Sequence, residues 1–186
     1  KRAGSAGRKL KENVCVNRGE KSAMSLVYIF AASAMEVEPV RKIAAATDSH
    51  SPARCGANDV VFFVSGMGPV NAENKAKAAL LAGMESSVTG TPDAVLVIGL
   101  CGGLTESLPE GKVVAYTTCK STEAAKPVLS CSQQTVDAVV NLLKSSGIDC
   151  DCAVGITSQR IATNRQERLA LAKSGAEVVD MESYSI

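Results

Sequence analysis

The stretch Val95 to Leu104, V-L-V-I-G-L-C-G-G-L, decides the fold class. Its first four residues are aliphatic without polar alternation, which is typical of a strand that helices cover on both faces. Gly99, Gly102 and Gly103 then permit a sharp turn and a close approach of a ligand to main-chain N–H groups. Ligands of open α/β sheets bind beyond the carboxyl ends of such strands. The sequence therefore predicts a central, parallel strand and a site wall at 100–104, with a plain tight turn as the alternative.

The segments on either side alternate between strand and helix patterns. The predicted strands are 25–33, 60–65, 112–117, 152–157 and 176–179, and the predicted helices are 34–46, 70–83, 133–146 and 164–173. This alternation predicts an α/β domain. The helix predicted after Asp180 has only begun where the sequence ends, so we expect the chain to be a fragment that lacks its C-terminal part.

Length and composition favour one domain without a membrane span. The 186 residues are 46% hydrophobic, and the nearest candidate for a span, 23–34, is too short to cross a bilayer. Residues 1–23 hold seven Lys or Arg against two Glu. We interpret 1–23 as a disordered basic leader and 24–186 as the domain. The alternatives for the leader are a nucleic-acid arm and a targeting peptide. Aromatic residues make up 3% and Trp is absent, so no platform for stacking nucleic-acid bases is expected.

The seven cysteines do not have the spacing of a metal site. No C-x-x-C pair is present, and the one close pair, Cys150 and Cys152, lacks a further Cys and His at zinc spacing. We interpret the cysteines as buried thiols of a protein in a reducing cytoplasm. Catalysis by Cys and His is disfavoured, because the single histidine, His50, lies in a loop-like stretch.

Polar groups follow the first two predicted strands. Glu36 and Glu38 come just after the first strand, at the start of a helix. For Glu36 we favour a surface role that complements the helix dipole, and Glu38 remains open as a catalytic base. Gly66 and Gly68 follow the second strand and can offer N–H groups to an anion at a helix N-terminus, although a plain turn is the more common meaning of this pattern.

Four short motifs occur in order along the chain. They are A-M-x-x-E at 34–38, S-G-x-G at 65–68, G-x-x-G-G-L at 99–104 and V-D-M-E at 179–182. This series resembles the nucleoside phosphorylase and nucleosidase superfamily, most of all its 5′-methylthioadenosine/S-adenosylhomocysteine nucleosidase branch. It is also similar to proteins called hopanoid-associated phosphorylases. The resemblance runs from the first predicted strand to the end of the sequence.

The resemblance implies a three-layer α/β/α fold with a mixed, largely parallel central sheet that is incomplete at the C-terminus. Glu38 matches the family's carboxylate that activates water. Met181 matches the methionine that packs on the ribose, and Glu182 matches the carboxylate that accepts hydrogen bonds from the ribose hydroxyls. Without the ordered motifs, core packing would explain Met181 and a surface helix terminus would explain Glu182.

The resemblance also assigns the glycine turn to the wall beside the sugar, formed by Gly102 with Cys101 and Leu100. The family's Asp that protonates the leaving purine lies on a later strand, and Asp180 does not match it. We therefore expect this fragment to be inactive alone. Leu100, Lys112 and the lack of a Phe within 158–163 depart from the family's pattern, and these departures bear on the substrate more than on the fold.

The chemistry of N-ribosyl cleavage agrees with these residue types. The sugar gains positive charge, and the reaction needs a base for water on one face and an acid for the leaving group on the other. Glu38 suits the first task, and its charge would repel phosphate. The sequence predicts a hydrolase that releases adenine from a 5′-modified adenosine, with a phosphate-dependent phosphorylase and an inactive binding or assembly module as alternatives.

The expected setting follows from the same resemblance. The protein would be a cytoplasmic enzyme of nucleoside metabolism and methionine salvage that binds a small-molecule nucleoside and forms a homo-oligomer. No cofactor or metal is expected, and neither nucleic acid nor a membrane is an expected partner.

Overall fold

The structure is a computed structural model that describes residues 25–43, 52–85 and 90–186. The predicted leader, residues 1–23, and His50 lie outside these residues. The strands are Leu26–Ala31 (β1), Ala53–Cys55 (β2), Asn58–Val64 (β3), Ala94–Val97 (β4), Gly102–Gly103 (β5), Val113–Ser121 (β6), Leu129–Ser130 (β7), Cys150–Thr157 (β8) and Val178–Asp180 (β9). The helices are Ala34–Ile43 (α1), Pro69–Glu85 (α2), Gln133–Ser145 (α3) and Arg165–Ala172 (α4), and a short 3-10 helix, Ser183–Ser185, follows β9.

The first sheet has the order β2-β3-β1-β4. β1 pairs in parallel with β3 and β4, and the short β2 pairs antiparallel with β3. Successive residues of a strand face opposite sides of its sheet. Tyr28 and Phe30 of β1 accordingly pack with alanines of α2, whereas Ile29 packs with Val37 of α1 on the other face. The two helices therefore cover opposite faces, and this part of the fold has three layers.

β4 lies at the edge of this sheet, which corrects the prediction of a central strand covered on both faces. Leu96 and Ile98 pack against the core cluster that includes Val37 of α1. On the other face, Val95 and Val97 remain 42% and 38% exposed among the described residues. The predicted parallel pairing is present, with β1 as the partner. A run of aliphatic residues shows that a strand is apolar but does not show how many neighbours cover it.

The second sheet has the order β5-β9-β8-β6-β7. β8 pairs in parallel with β6 and β9, and β5 and β7 pair antiparallel at the two edges. Val136 and Val140 of α3 pack against Cys150 of β8. Ile186, after the 3-10 helix, packs against the Tyr28 cluster of the first sheet. Mixed, largely parallel strand pairing with helices confirms the predicted α/β class.

Several local predictions need correction. The segment after β9 forms a 3-10 helix and not the start of an α-helix. Only Cys119 and Cys150 are buried among the cysteines of the described residues, so the expectation of buried thiols is wrong for Cys55, Cys101, Cys131 and Cys152. Burial raises the pKa of Cys119 to about 11. Within the described ranges, no helix is long and apolar enough to cross a membrane.

Candidate active site

Four segments of the chain meet where parallel strands end. Glu36 follows β1, Gly68 follows β3, Leu100 follows β4 and Glu182 follows β9. Since β1, β3 and β4 run parallel, their carboxyl ends share one edge of the first sheet. Hydrogen bonds join Glu36 to Leu100 and Gly68 to Glu182 across this edge. The segments that the motifs had predicted to converge therefore do so.

Three donors hold the carboxylate of Glu36. Its Oε2 accepts hydrogen bonds from the backbone N–H and the hydroxyl of Ser33, at 2.8 and 3.0 Å. Its Oε1 accepts from the N–H of Leu100 at 3.1 Å, and the same oxygen lies 3.0 Å from the place that a Cβ on Gly99 would take. A side chain at Gly99 would crowd this oxygen. The bare backbone of the glycine turn therefore lets the carboxylate reach the end of β4.

Glu38 lies on the other side of α1. Its side chain is 50% exposed, and its Oε1 is 3.9 Å from Nζ of Lys42, one turn further along the helix. Residues two apart in an α-helix point about 200° apart, so Glu36 and Glu38 face nearly opposite directions. The structure therefore places Glu36 at the strand ends, where the sequence had favoured a surface role, and Glu38 in a surface ion pair. The catalytic role of a carboxylate here remains a prediction.

Glu182 lies against the N-terminus of α2. Its Oε1 accepts a hydrogen bond from the N–H of Gly68 at 2.7 Å, and its Oε2 accepts from the N–H of Met181 at 3.3 Å. Burial raises the pKa of Glu182, and the charges of Asp180 and Glu36 act in the same direction, while the two N–H donors oppose the shift. The anion-binding turn that the sequence suggested before α2 therefore holds a carboxylate of the chain itself.

Two further predicted residues lie beside Glu182. The terminal methyl of Met181 is 3.9 Å from the place that a Cβ on Gly68 would take, so Met181 lies at the same turn. Gly102 pairs with Val179 of β9, two residues before Met181. A Cβ on Gly102 would lie 3.2 Å from Cγ1 of Val179, which explains why this close pairing suits a glycine. The contacts of Met181 and Gly102 with a sugar remain predictions.

Leu100 and Cys101 are the two other predicted wall residues, and both are exposed. The side chain of Leu100 is 86% exposed, and its backbone N–H serves Glu36. The turn thus contributes a backbone donor to the candidate site, and the roles of Leu100 and Cys101 toward a ligand remain predictions.

The sequence analysis favoured a surface role for Glu36, although a signal for its inward direction was present. Ser33-x-x-Glu36 has the spacing of a capping box, in which the glutamate turns back toward the residue that begins the helix. In this chain Ser33, just before α1, stands two residues after the end of β1. A capping box at that place predicts that its glutamate reaches the end of the strand, whereas a glutamate two residues later points away.

The arrangement suits a reaction that builds positive charge on its substrate. Two carboxylates at one edge attract a cation, and neither forms an ion pair with a Lys or Arg of the described residues. In the part of the chain that the structure describes, no group of three or more His, Cys, Asp or Glu has the geometry of a metal site. A site with uncompensated negative charge disfavours a phosphate dianion.

Comparisons with known proteins identify a family and similar folds. The sequence model of the phosphorylase superfamily matches residues 29–186. No curated protein sequence matches the chain. Among solved structures, the 5′-methylthioadenosine/S-adenosylhomocysteine nucleosidase of Neisseria meningitidis, in complex with methylthio-immucillin-A, has a TM-score of 0.75 at 18% identity over 87% of this chain and 78% of its own.

Two structures from Helicobacter pylori are also similar. The 5′-methylthioadenosine/S-adenosylhomocysteine nucleosidase with butyl-thio-DADMe-Immucillin-A has a TM-score of 0.73 at 14% identity, covering 87% of this chain and 77% of its own. The futalosine hydrolase has a TM-score of 0.72 at 13% identity, covering 87% and 76%. At these identities the likeness establishes the fold.

Proposed function

Because the chain belongs to the phosphorylase superfamily, we propose that it acts on nucleosides as an N-ribosyl hydrolase. The observation that carries the proposal is the pair of carboxylates, Glu36 and Glu182, at the edge where β1, β3 and β4 end. We propose a 5′-modified adenosine as the substrate. The nucleosidases among the similar structures support this choice, since their names include 5′-methylthioadenosine and S-adenosylhomocysteine.

In the proposed reaction, water attacks the anomeric carbon of the ribose and transfers a proton to Glu36. The bond from that carbon to the base breaks, its electron pair leaves with the base, and the base takes up a proton from the surrounding water. The sugar carries positive charge in the transition state, as in glycoside hydrolysis. The fixed hydrogen bonds from Ser33 and Leu100 hold Glu36 ready without rearrangement, which is how preorganised electrostatics lower a barrier.

Glu182 is assigned to the ribose hydroxyls. Each carboxylate oxygen accepts one backbone N–H, from Gly68 and Met181, and each oxygen has further lone pairs for hydroxyl donors. Met181 would pack on the sugar, and the turn formed by Leu100, Cys101 and Gly102 would flank it. Asp180 is not assigned to the leaving base, because its Oδ1 already accepts three hydrogen bonds within the chain.

Water is the proposed nucleophile, and phosphate is the alternative. A phosphorylase must hold a phosphate dianion beside the sugar, which commonly requires Arg and hydroxyl donors. The described residues place carboxylates there, and each would repel a dianion. The charge balance at the edge therefore favours hydrolysis.

The first test uses an adenosine analogue whose ribose is replaced by a cationic pyrrolidine ring. Calorimetric titration should show that the chain prefers this analogue to its neutral counterpart, because two carboxylates face the position of the cation. Inorganic phosphate should leave the affinity unchanged, within about twofold. A gain of about tenfold or more on adding phosphate would indicate a phosphorylase instead.

Release of free base from 5′-methylthioadenosine is followed in the same samples. Base release without phosphate supports the hydrolase. Base release only when phosphate is present would indicate the phosphorylase alternative. Failure to distinguish the cationic analogue from the neutral one would contradict the assignment of the two carboxylates.

A further inference from the structure

The carboxylate of Asp180 organises the turn that carries Glu182. Asp180 ends β9, and its Oδ1 accepts a hydrogen bond from the hydroxyl of Thr157 at 2.6 Å. The same oxygen accepts from the backbone N–H groups of Glu182 at 3.1 Å and Ser183 at 3.2 Å. The Thr157 hydroxyl in turn accepts from the N–H of Tyr184 at 2.9 Å. The backbone from 182 to 184 is thus tied to the ends of β8 and β9.

A tyrosine lies near Asp180. Tyr116 of β6 is close enough to Asp180 and Cys101 for their charges to act on its hydroxyl. Its ring occupies space that exists only because position 155 of β8 is a glycine, since a Cβ on Gly155 would lie 2.2 Å from Cε2 of the ring. Burial raises the pKa of Tyr116, and the charge of Asp180 acts in the same direction, so the hydroxyl keeps its proton. Gly155 therefore provides the space in which a neutral tyrosine packs near Asp180.

We propose that Asp180 is a positioning residue that fixes the direction of the Glu182 carboxylate through the backbone of residues 182 and 183. This inference rests on the proposed function, because it assigns Asp180 to the orientation of the group that holds the ribose. Glu182 has its own partners at Gly68 and Met181, but these fix its carboxylate only if its backbone stays in place. Asp180 supplies that constraint without contacting the substrate.

Asp180→Ala tests the inference directly. Without the acceptor, the N–H groups of residues 182 and 183 lose their partner. The backbone of residue 182 is then no longer held in place, so the direction of the Glu182 side chain is no longer fixed. We expect the cationic analogue to bind about 10- to 100-fold more weakly, as is typical when a hydrogen bond to a charged group is lost. Asp180→Asn keeps an oxygen acceptor of the same shape and should bind the analogue within about threefold of the unchanged chain.

A double-mutant cycle separates positioning from a general loss of structure. If Asp180 acts through Glu182, Glu182→Gln should add little in the Asp180→Ala background, whereas independent roles would give additive losses. Asp93→Ala is the matched control, because Asp93 also accepts a backbone N–H, that of Leu26 at 2.8 Å, at the opposite end of the first sheet. Its removal should leave the affinity for the analogue unchanged.

The pH dependence of analogue binding tests whether the charge of Asp180 lies close enough to Glu182 to act on it. In the described residues, Glu182 faces the N–H of Gly68 from the start of α2, the carboxylate of Asp180 from β9 and that of Glu36 from α1. Removing the charge of Asp180 in Asp180→Asn lowers the pKa of Glu182. Binding should therefore persist to lower pH in this variant, because Glu182 stays ionised there.

The outcomes distinguish the two proposals. If Glu182→Gln alone does not weaken binding, the proposed function fails. If Glu182→Gln weakens binding but Asp180→Ala does not, or the two losses add, this inference fails while the function stands. If Asp180→Ala does not fold, Thr157→Val replaces it as the test. Loss of the hydroxyl that links Asp180 to Tyr184 should weaken binding of the analogue by about 3- to 10-fold. An unchanged affinity would overturn the inference.

Discussion

The carboxyl group of Glu182 holds its proton more tightly than an ordinary glutamate, because it is half-buried and faces two further carboxyl groups. A carboxyl group whose pKa is raised by folding binds its proton more strongly in the folded chain than in the unfolded chain. The free energy of unfolding therefore falls as the pH rises through that pKa. The ionised form of Glu182 thus lowers the stability of the folded chain.

The variant Glu182→Gln measures how much an ionised Glu182 costs in stability. Near neutral pH the variant should be at least as stable to urea as the unchanged chain, because an uncharged amide replaces a partly buried charge. Its affinity for the cationic analogue should fall about 10- to 100-fold. At about pH 4, where the glutamate is protonated, the two chains should have similar stability. Greater stability of the glutamate form at neutral pH would contradict this account.

The directions of Glu36 and Glu38 show which property of a single residue a sequence motif can predict and which it cannot. The motif predicted a carboxylate within a few residues of the end of β1, and that of Glu36 lies there. Which glutamate faces the site depends on the angular position of each residue on α1, and that is set by where the helix begins. The capping hydrogen bonds of Ser33 fix that beginning, and a matched motif does not contain them.

At the scale of elements, the ends of helices were predicted well because local chemistry sets them. Asn164 caps α4 by accepting the N–H of Glu167 at 2.9 Å, as its sequence position predicts. α3 ends just before Gly147, whose positive φ of 78° suits a glycine at a helix C-terminus. The short strands β2, β5 and β7 were missed, since their pairing depends on partners elsewhere in the chain.

Gly155 of β8 gives a prediction at this scale. A Cβ there would lie 2.2 Å from a ring carbon of Tyr116, and neither strand can move without breaking the β6–β8 ladder. Gly155→Ala should lower the free energy of unfolding by about 1–3 kcal/mol, which urea denaturation measures. In a Tyr116→Ala background the same change should cost much less, because the ring is gone. An equal cost in both backgrounds would show that Tyr116 does not fill this space.

For the whole molecule, the α/β class and the edge that holds the site followed from the order of strands, glycine turns and helices. The division into two sheets and the edge position of β4 did not, because hydrogen-bond partners far apart in sequence determine them. The contact of Gly68 with Glu182 spans 114 residues and joins the two halves of the site. Only the shared order of motifs had indicated that these segments meet.

The central claim is that Glu36, and not Glu38, faces the sugar together with Glu182. The most direct test compares the affinity of Glu36→Gln and Glu38→Gln for the cationic ribose analogue by calorimetry. We predict that Glu36→Gln weakens binding by about 10- to 100-fold, while Glu38→Gln, a matched change two residues away on the solvent side of α1, leaves it unchanged. Weaker binding by Glu38→Gln with Glu36→Gln unaffected would contradict the account.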